Sequence, residues 1–268
     1  MSYSNVPIGA SNPGLIIIMV DQSYSMTDPY GTGQKKDIAA SAVNRVIHEV
    51  GLACQSGHIT KDRCYLAVIG YGEKVEALVN GHISEIVENP KELKKIVKKQ
   101  LDEAGGLIEV PEEMPIWINP EANNGTPMHQ AFDAAYQIAE EWISNNPDNF
   151  PPVIINITDG EPNHPDETKD AANRLMGLST SDGNTLILNA HISNAAAGEI
   201  SLPNNDAGLY DQYAKFLFDI SSVLPETLFQ AAKNAGFSPQ PDARGFVFNA
   251  KAETMISLLN FGSLGAMR

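Results

Sequence analysis

The 268 residues predict an α/β protein of doubly wound, Rossmann-like, three-layer form, its sheet mostly parallel with one antiparallel edge strand. Three observations carry this expectation. Short runs rich in Ile, Val and Leu alternate along the chain with stretches of helical periodicity. Those runs are apolar almost throughout, as in strands covered by helices on both faces. One pair of runs is joined by a glycine-rich turn too short for a crossover, so that pair is antiparallel.

In chain order, residues 15–20 form the first central strand. Residues 35–50 form a helix, with Ile38, Ser41, Ala42, Val46 and Val50 at three- and four-residue spacing. Residues 64–69 and 74–79 are the hairpin, turning at Gly70-Tyr71-Gly72. Pro90 opens a helix to about residue 101, with Leu93, Ile96, Val97 and Leu101 on one face and a solvated lysine-rich face opposite. Residues 105–125 contain Pro111, Pro115 and Pro120, which argues against a long regular element. Thr126 caps and Pro127 begins a helix that continues through Trp142. Residues 153–158 and 185–192 are buried strands, with a helix at 165–178 between them. Residues 193–206 read as a loop. Helices at 210–219 and 224–235 follow, the second ended by Gly236, then a strand at 246–248 and a helix at 252–261. One domain over residues 1–268, with its core at about 12–260, is the simplest parse.

Composition narrows the function. Hydrophobic residues make up 43% and charged residues 19%, ordinary for a globular chain. Acidic side chains number 33 against 18 basic, a formal charge of -15. That field disfavours nucleic acid and anionic membranes, and suits cations or basic partners as well as simple solubility. The run at 15–20 is far too short to span a bilayer. Met1-Ser2-Tyr3-Ser4-Asn5 has no basic region followed by an apolar core, and Cys54 and Cys64 make no disulfide framework. A cytoplasmic location is the expectation.

Three separated pieces fall where a strand gives way to a loop. Asp21, Ser23 and Ser25 follow the first strand at alternate positions. Thr126 stands in Asn124-Gly125-Thr126-Pro127. Asp159-Gly160 follows the strand at 153–158. Each alone is ordinary helix-cap or turn chemistry. In open parallel sheets, however, all three can meet outside the carboxyl ends of the strands. They then present two carboxylates and three hydroxyls, an oxygen-only set for a hard divalent cation, Mg²⁺ or Mn²⁺, with Ca²⁺ less natural. A carboxylate from another protein can complete such a shell.

These residues resemble the metal-ion-dependent adhesion site of von Willebrand factor A domains, and the resemblance runs from about residue 12 to 260. It implies ligation by Asp21, Ser23, Ser25, Thr126 and Asp159, some directly and some through water. It also implies a partner protein whose acidic side chain completes the shell. Tyr24 departs from the family, where many members have glycine; with Met26 it either crowds the site or offers the partner a contact. Asn124-Gly125-Thr126-Pro127-Met128 and the segment Ala243-Arg244-Gly245-Phe246-Val247-Phe248-Asn249-Ala250 are similar to bacterial stand-alone members. Their relatives are often encoded beside kinase-like and phosphatase-like proteins, some in stress or tellurite-resistance systems.

Other readings stay open at this level. Glu161, in Asp159-Gly160-Glu161-Pro162-Asn163-His164, reads more simply as loop polarity than as the base of metal-assisted phosphatase or hydrolase chemistry, with a partner contact also open. His129 and His164 lack zinc-site spacing. Neither G-x-x-x-x-G-K-[S/T] nor G-x-G-x-x-G is present, and Ser23 lacks a G-x-S-x-G setting. Trp117 either anchors a partner or, more ordinarily, packs a long loop onto the sheet edge. A structural protein with a vestigial site is the third alternative.

Overall fold

The computed structural model describes residues 7–31, 33–101, 107–193 and 198–267. Nine strands and seven helices organise them. The strands are β1 (Gly14–Asp21), β2 (Cys64–Tyr71), β3 (Val75–His82), β4 (Glu92–Leu101), β5 (Leu107–Ile116), β6 (Val153–Thr158), β7 (Leu186–His191), β8 (Ile200–Ser201) and β9 (Phe246–Phe248). The helices are α1 (Lys35–Cys54), α2 (Ile83–Glu88), α3 (Met128–Asn145), α4 (Pro165–Gly177), α5 (Gln212–Asp219), α6 (Glu226–Asn234) and α7 (Ala252–Leu264). Two-residue hairpins at Pro29–Tyr30 with Gly33–Gln34, and at Gln55–Ser56 with Ile59–Thr60, flank α1.

The main sheet has the order β8-β9-β7-β6-β1-β2-β3. Strands β9, β7, β6, β1 and β2 run parallel, and β3 closes one edge antiparallel to β2, as expected. The opposite edge also carries an antiparallel strand, β8, within the segment expected to be a loop. Chain order reverses beside β1, whose neighbours are β2 and β6. This is the switch point of a doubly wound sheet, where the loops diverge and leave a crevice.

Period-two alternation divides β1 between two cores. Ile16, Ile18 and Val20 pack with α1, α2, α6 and α7, including Val43, Val46, Leu228 and Leu258. Leu15, Ile17 and Met19 pack with α3, α4 and α5, including Phe132, Leu175 and Leu217. Burying each such aliphatic side chain contributes about 2 kcal/mol, so β1 is fixed from both sides. Trp117 belongs to the first of these cores.

Two expectations fail together. Residues 92–101 are a strand, not a helix, and residues 107–116 are its partner rather than an irregular stretch. Leu93, Ile96 and Val97 match a helical face by spacing, but the register sets Lys95 opposite Glu113, a cross-strand charge pair invisible in one arm alone. Pro111 and Pro115 are tolerated because a two-stranded ribbon has only edge strands, where half the N–H groups face away from the partner. Asn44 of α1 anchors the ribbon's base: its Oδ1 accepts from the N–H groups of Trp117 and Ile118, and its Nδ2 donates to the Ile118 carbonyl. Smaller differences are a hairpin turn at residues 72–74 rather than 70–72 and a start of α3 at Met128, one residue beyond the expected Pro127. Among the described residues no helix is long and apolar enough to cross a membrane.

Candidate metal centre

The carboxyl ends of β1 and β6 bring Asp21 and Asp159 into one crevice. Asp21 ends β1 and is buried. Its Oδ1 accepts from the Ser23 N–H at 2.8 Å and its Oδ2 from the Thr158 hydroxyl at 2.6 Å. Thr158 Oγ1 in turn accepts from the Gly160 N–H at 2.9 Å, so one hydroxyl ties the end of β1 to the loop after β6. Ser23 is buried, and its hydroxyl lies 3.0 Å from that of Ser25.

The loop before α3 is stitched to the same place by main-chain bonds. Asn123 N–H donates to the Gln22 carbonyl, and Tyr24 N–H to that of Asn124. Thr126 N–H donates to Asn163 Oδ1, while Asn163 N–H donates to the Thr126 carbonyl. The approach is close enough to require glycine at one point: a Cβ on Gly72 would stand 2.5 Å from the Gln22 carbonyl oxygen and 2.9 Å from that of Asn123. Three chain-distant loops, carrying Ser23 and Ser25, Thr126, and Asp159, are thus held in one neighbourhood.

Electrostatics marks the crevice. Burial, reinforced by the neighbouring Asp159 carboxylate, pushes the Asp21 carboxyl from 3.8 up to about 7, against the opposing bonds from Ser23 and Thr158. Asp159 is divided. Its Oδ2 accepts from the Lys35 ammonium at 3.1 Å, while its Oδ1 is buried with no hydrogen-bond partner among the described residues. A buried carboxylate oxygen without a partner is costly, and two adjacent carboxylates call for a cation. Among the described residues no three of His, Cys, Asp and Glu cluster, so a soft nitrogen or sulfur site has no candidate there. The donor set is carboxylate and hydroxyl, which fits a hard divalent ion.

Several supporting residues escaped sequence reasoning. His191, at the end of β7, stacks on Phe248 and puts Nε2 2.9 Å from the Asp159 carbonyl. Burial holds its imidazole below the usual range. Gly160 has φ +95° and would bring a Cβ within 2.9 Å of that ring. A buried polar chain links β2, β6 and β7: Tyr71 hydroxyl to Asn156 Oδ1, Asn156 Nδ2 to Asn189 Oδ1, and Asn189 Nδ2 to Ser221 Oγ. Its sequence signal was the asparagine in the otherwise apolar runs of β6 and β7. Lys35 also had one, since a lysine opening a helix stands against the helix dipole.

The expected partner contacts divide. Tyr24 is 72% exposed and lies on the loop between Ser23 and Ser25. Met26 is fully buried and packs into the core, which removes it as a surface contact. Trp117 is likewise buried, its Nε1 donating to the Ile86 carbonyl at 2.7 Å, because it seats the β4–β5 ribbon rather than a partner. Glu161 is exposed and accepts from the Tyr213 hydroxyl at 2.8 Å. His129 and His164 approach edge to face with ring centroids 5.0 Å apart.

Fold and crevice together define a doubly wound α/β protein with an oxygen-donor site at its switch point. Among solved structures, the chain is similar to the pilus adhesin SpaC from Lactobacillus rhamnosus GG. The likeness has a TM-score of 0.56 at 11% identity, over 98% of this chain and 32% of that one, so this chain spans about a third of its length. Lower overlaps occur with manganese-loaded TRAP protein of Plasmodium vivax (TM-score 0.47, 14% identity, 92% of this chain and 72% of that one). Another is with the ArnB paralog VWA2 from Sulfolobus acidocaldarius (TM-score 0.39, 13% identity, 79% of this chain and 40% of that one). No protein-family model matches the chain, and no curated protein matches it.

Proposed function

We propose that this chain is a divalent-cation-dependent protein-binding module of the von Willebrand factor A type, with Asp21, Ser23, Ser25, Thr126 and Asp159 as its metal-holding residues. The observation that carries the reading is the partnerless, buried Asp159 Oδ1 beside the Asp21 carboxyl. Mg²⁺ or Mn²⁺ is the fitting ion, since each takes carboxylate, hydroxyl and water oxygens at once. The cation would supply a positive centre to which a carboxylate of a partner protein attaches. The chain's own residues do the rest: Thr158 and the Ser23 N–H fix Asp21, the Asn163 bonds fix Thr126, and Tyr24 offers an exposed ring beside the site.

The likeness to SpaC supports the fold and nothing further; the binding role is argued from these residues. A bacterial signalling, stress-response or assembly setting, with a kinase-like or phosphatase-like partner, follows from the sequence resemblance alone. Affinity capture from the native lysate, with the folded protein as bait, tests the proposal by comparing Mg²⁺, EDTA and Asp159→Ala. A protein retained only by wild type and only with Mg²⁺ is the expected result. Equal recovery in all three conditions places the interface elsewhere.

A further inference from the structure

We propose that Lys35 is a tethered counter-ion of the metal centre, one that occupies Asp159 when no divalent cation is bound and holds the site's intrinsic cation affinity low. The inference rests on the reading of Asp21 and Asp159 as cation ligands and adds a competitor built into the chain.

Lys35 is 6% exposed, and lysine is almost never buried without a partner. Its ammonium lies 3.1 Å from Asp159 Oδ2 and 3.1 Å from Asp28 Oδ2. The two carboxylates differ in setting: the Asp159 side chain is 7% exposed and that of Asp28 55%. The Lys35 N–H also donates to the Asp28 carbonyl at 3.1 Å, so the backbone keeps Asp28 beside the lysine.

This arrangement has a direct consequence. A divalent ion taking Asp159 must displace or oppose an ammonium already in contact with it, which weakens cation binding. The ammonium is not stranded by the exchange, because Asp28 stays within reach as a reserve partner. With Asp21, Asp159 and Asp28 ionised, cation and ammonium together bring the cluster to neutrality, which removes the repulsion that an incoming anionic group meets at the cation-free site. Cation and partner carboxylate therefore strengthen each other's binding, and the coupling is reciprocal. The metal centre is weak alone and tight when a partner is engaged.

The test is calorimetric Mn²⁺ titration of the full chain as wild type, Lys35→Met and Asp28→Asn, at fixed ionic strength. Thermal melts in EDTA and in Mn²⁺ accompany it. Lys35→Met should bind Mn²⁺ at least tenfold tighter than wild type, and Mn²⁺ should raise its melting temperature by more. Asp28→Asn deprives the ammonium of its reserve and should bind Mn²⁺ at least threefold more weakly, which gives a second reading should Lys35→Met fold poorly. Equal or weaker Mn²⁺ binding by Lys35→Met overturns the counter-ion role while leaving the metal centre standing. So does unchanged binding by Asp28→Asn. Absence of Mn²⁺ binding in all three proteins removes the metal centre itself, and this inference with it.

Discussion

Replacing Asp21 by Asn should stabilise the metal-free protein at alkaline pH while removing its cation affinity. The fold holds the Asp21 proton up to about 7, whereas the unfolded chain releases it near 3.8. Between those values the folded state binds more protons, so this group's contribution to stability is complete below the unfolded pKa and is lost as pH rises towards 7. A difference of about three pKa units at 1.36 kcal/mol each makes the full penalty about 4 kcal/mol above pH 7. An asparagine escapes it. Its Oδ1 keeps the bond from the Ser23 N–H, but its amide nitrogen faces a Thr158 hydroxyl that already accepts from Gly160. The Thr158 proton loses its acceptor, which costs about 1 kcal/mol. The net gain is then about 3 kcal/mol at pH 8 and about 0.6 kcal/mol at pH 5. Urea denaturation of both proteins in EDTA at the two pH values measures it. An Asp21→Asn protein less stable than wild type by the same margin at both values would refute the reasoning, because no charge penalty would have been relieved.

Other consequences are more local. Gly72→Ala drives a Cβ against two carbonyl oxygens and should part the loops of Gln22 and Asn123. It should destabilise the fold by about 1–3 kcal/mol and weaken Mn²⁺ binding at least tenfold, read by denaturation and titration on one sample. Asn44→Ala removes three buried hydrogen bonds at the base of the ribbon and should cost about 2–4 kcal/mol in urea denaturation, with Mn²⁺ affinity unchanged. Tyr24→Ala alters an exposed ring, so Mn²⁺ affinity should stay within twofold of wild type while Mg²⁺-dependent capture of the partner falls about tenfold.

What could be read from the sequence follows a physical line. The central strands were legible because burial on both faces forces apolar runs, as in residues 15–20 and 153–158. The site pieces were legible because strand ends fix where Asp21 and Asp159 emerge. Their closure was not: it depends on bonds such as Tyr24 to Asn124 and Thr126 to Asn163, which join residues far apart in the chain. The β4–β5 ribbon was misread for a similar reason, since its pairing sets Lys95 opposite Glu113, residues far apart in the chain. The choice between contact and packing stayed open for Met26 and Trp117 because neither spacing nor residue type shows which side of a loop is covered, and both are buried. Lys35 stands out in the sequence only as a lysine against the helix dipole, and its two carboxylate contacts, which are not legible there, give it a role.

The most direct test of a divalent-cation centre is Mn²⁺ binding followed by electron paramagnetic resonance, in wild type and in Asp159→Ala. One bound Mn²⁺ per chain in wild type, displaced by excess Mg²⁺ and lost in a folded Asp159→Ala protein, is the result expected here. Mn²⁺ bound equally by both proteins, or by neither at millimolar concentration, would contradict a cation site built on Asp159.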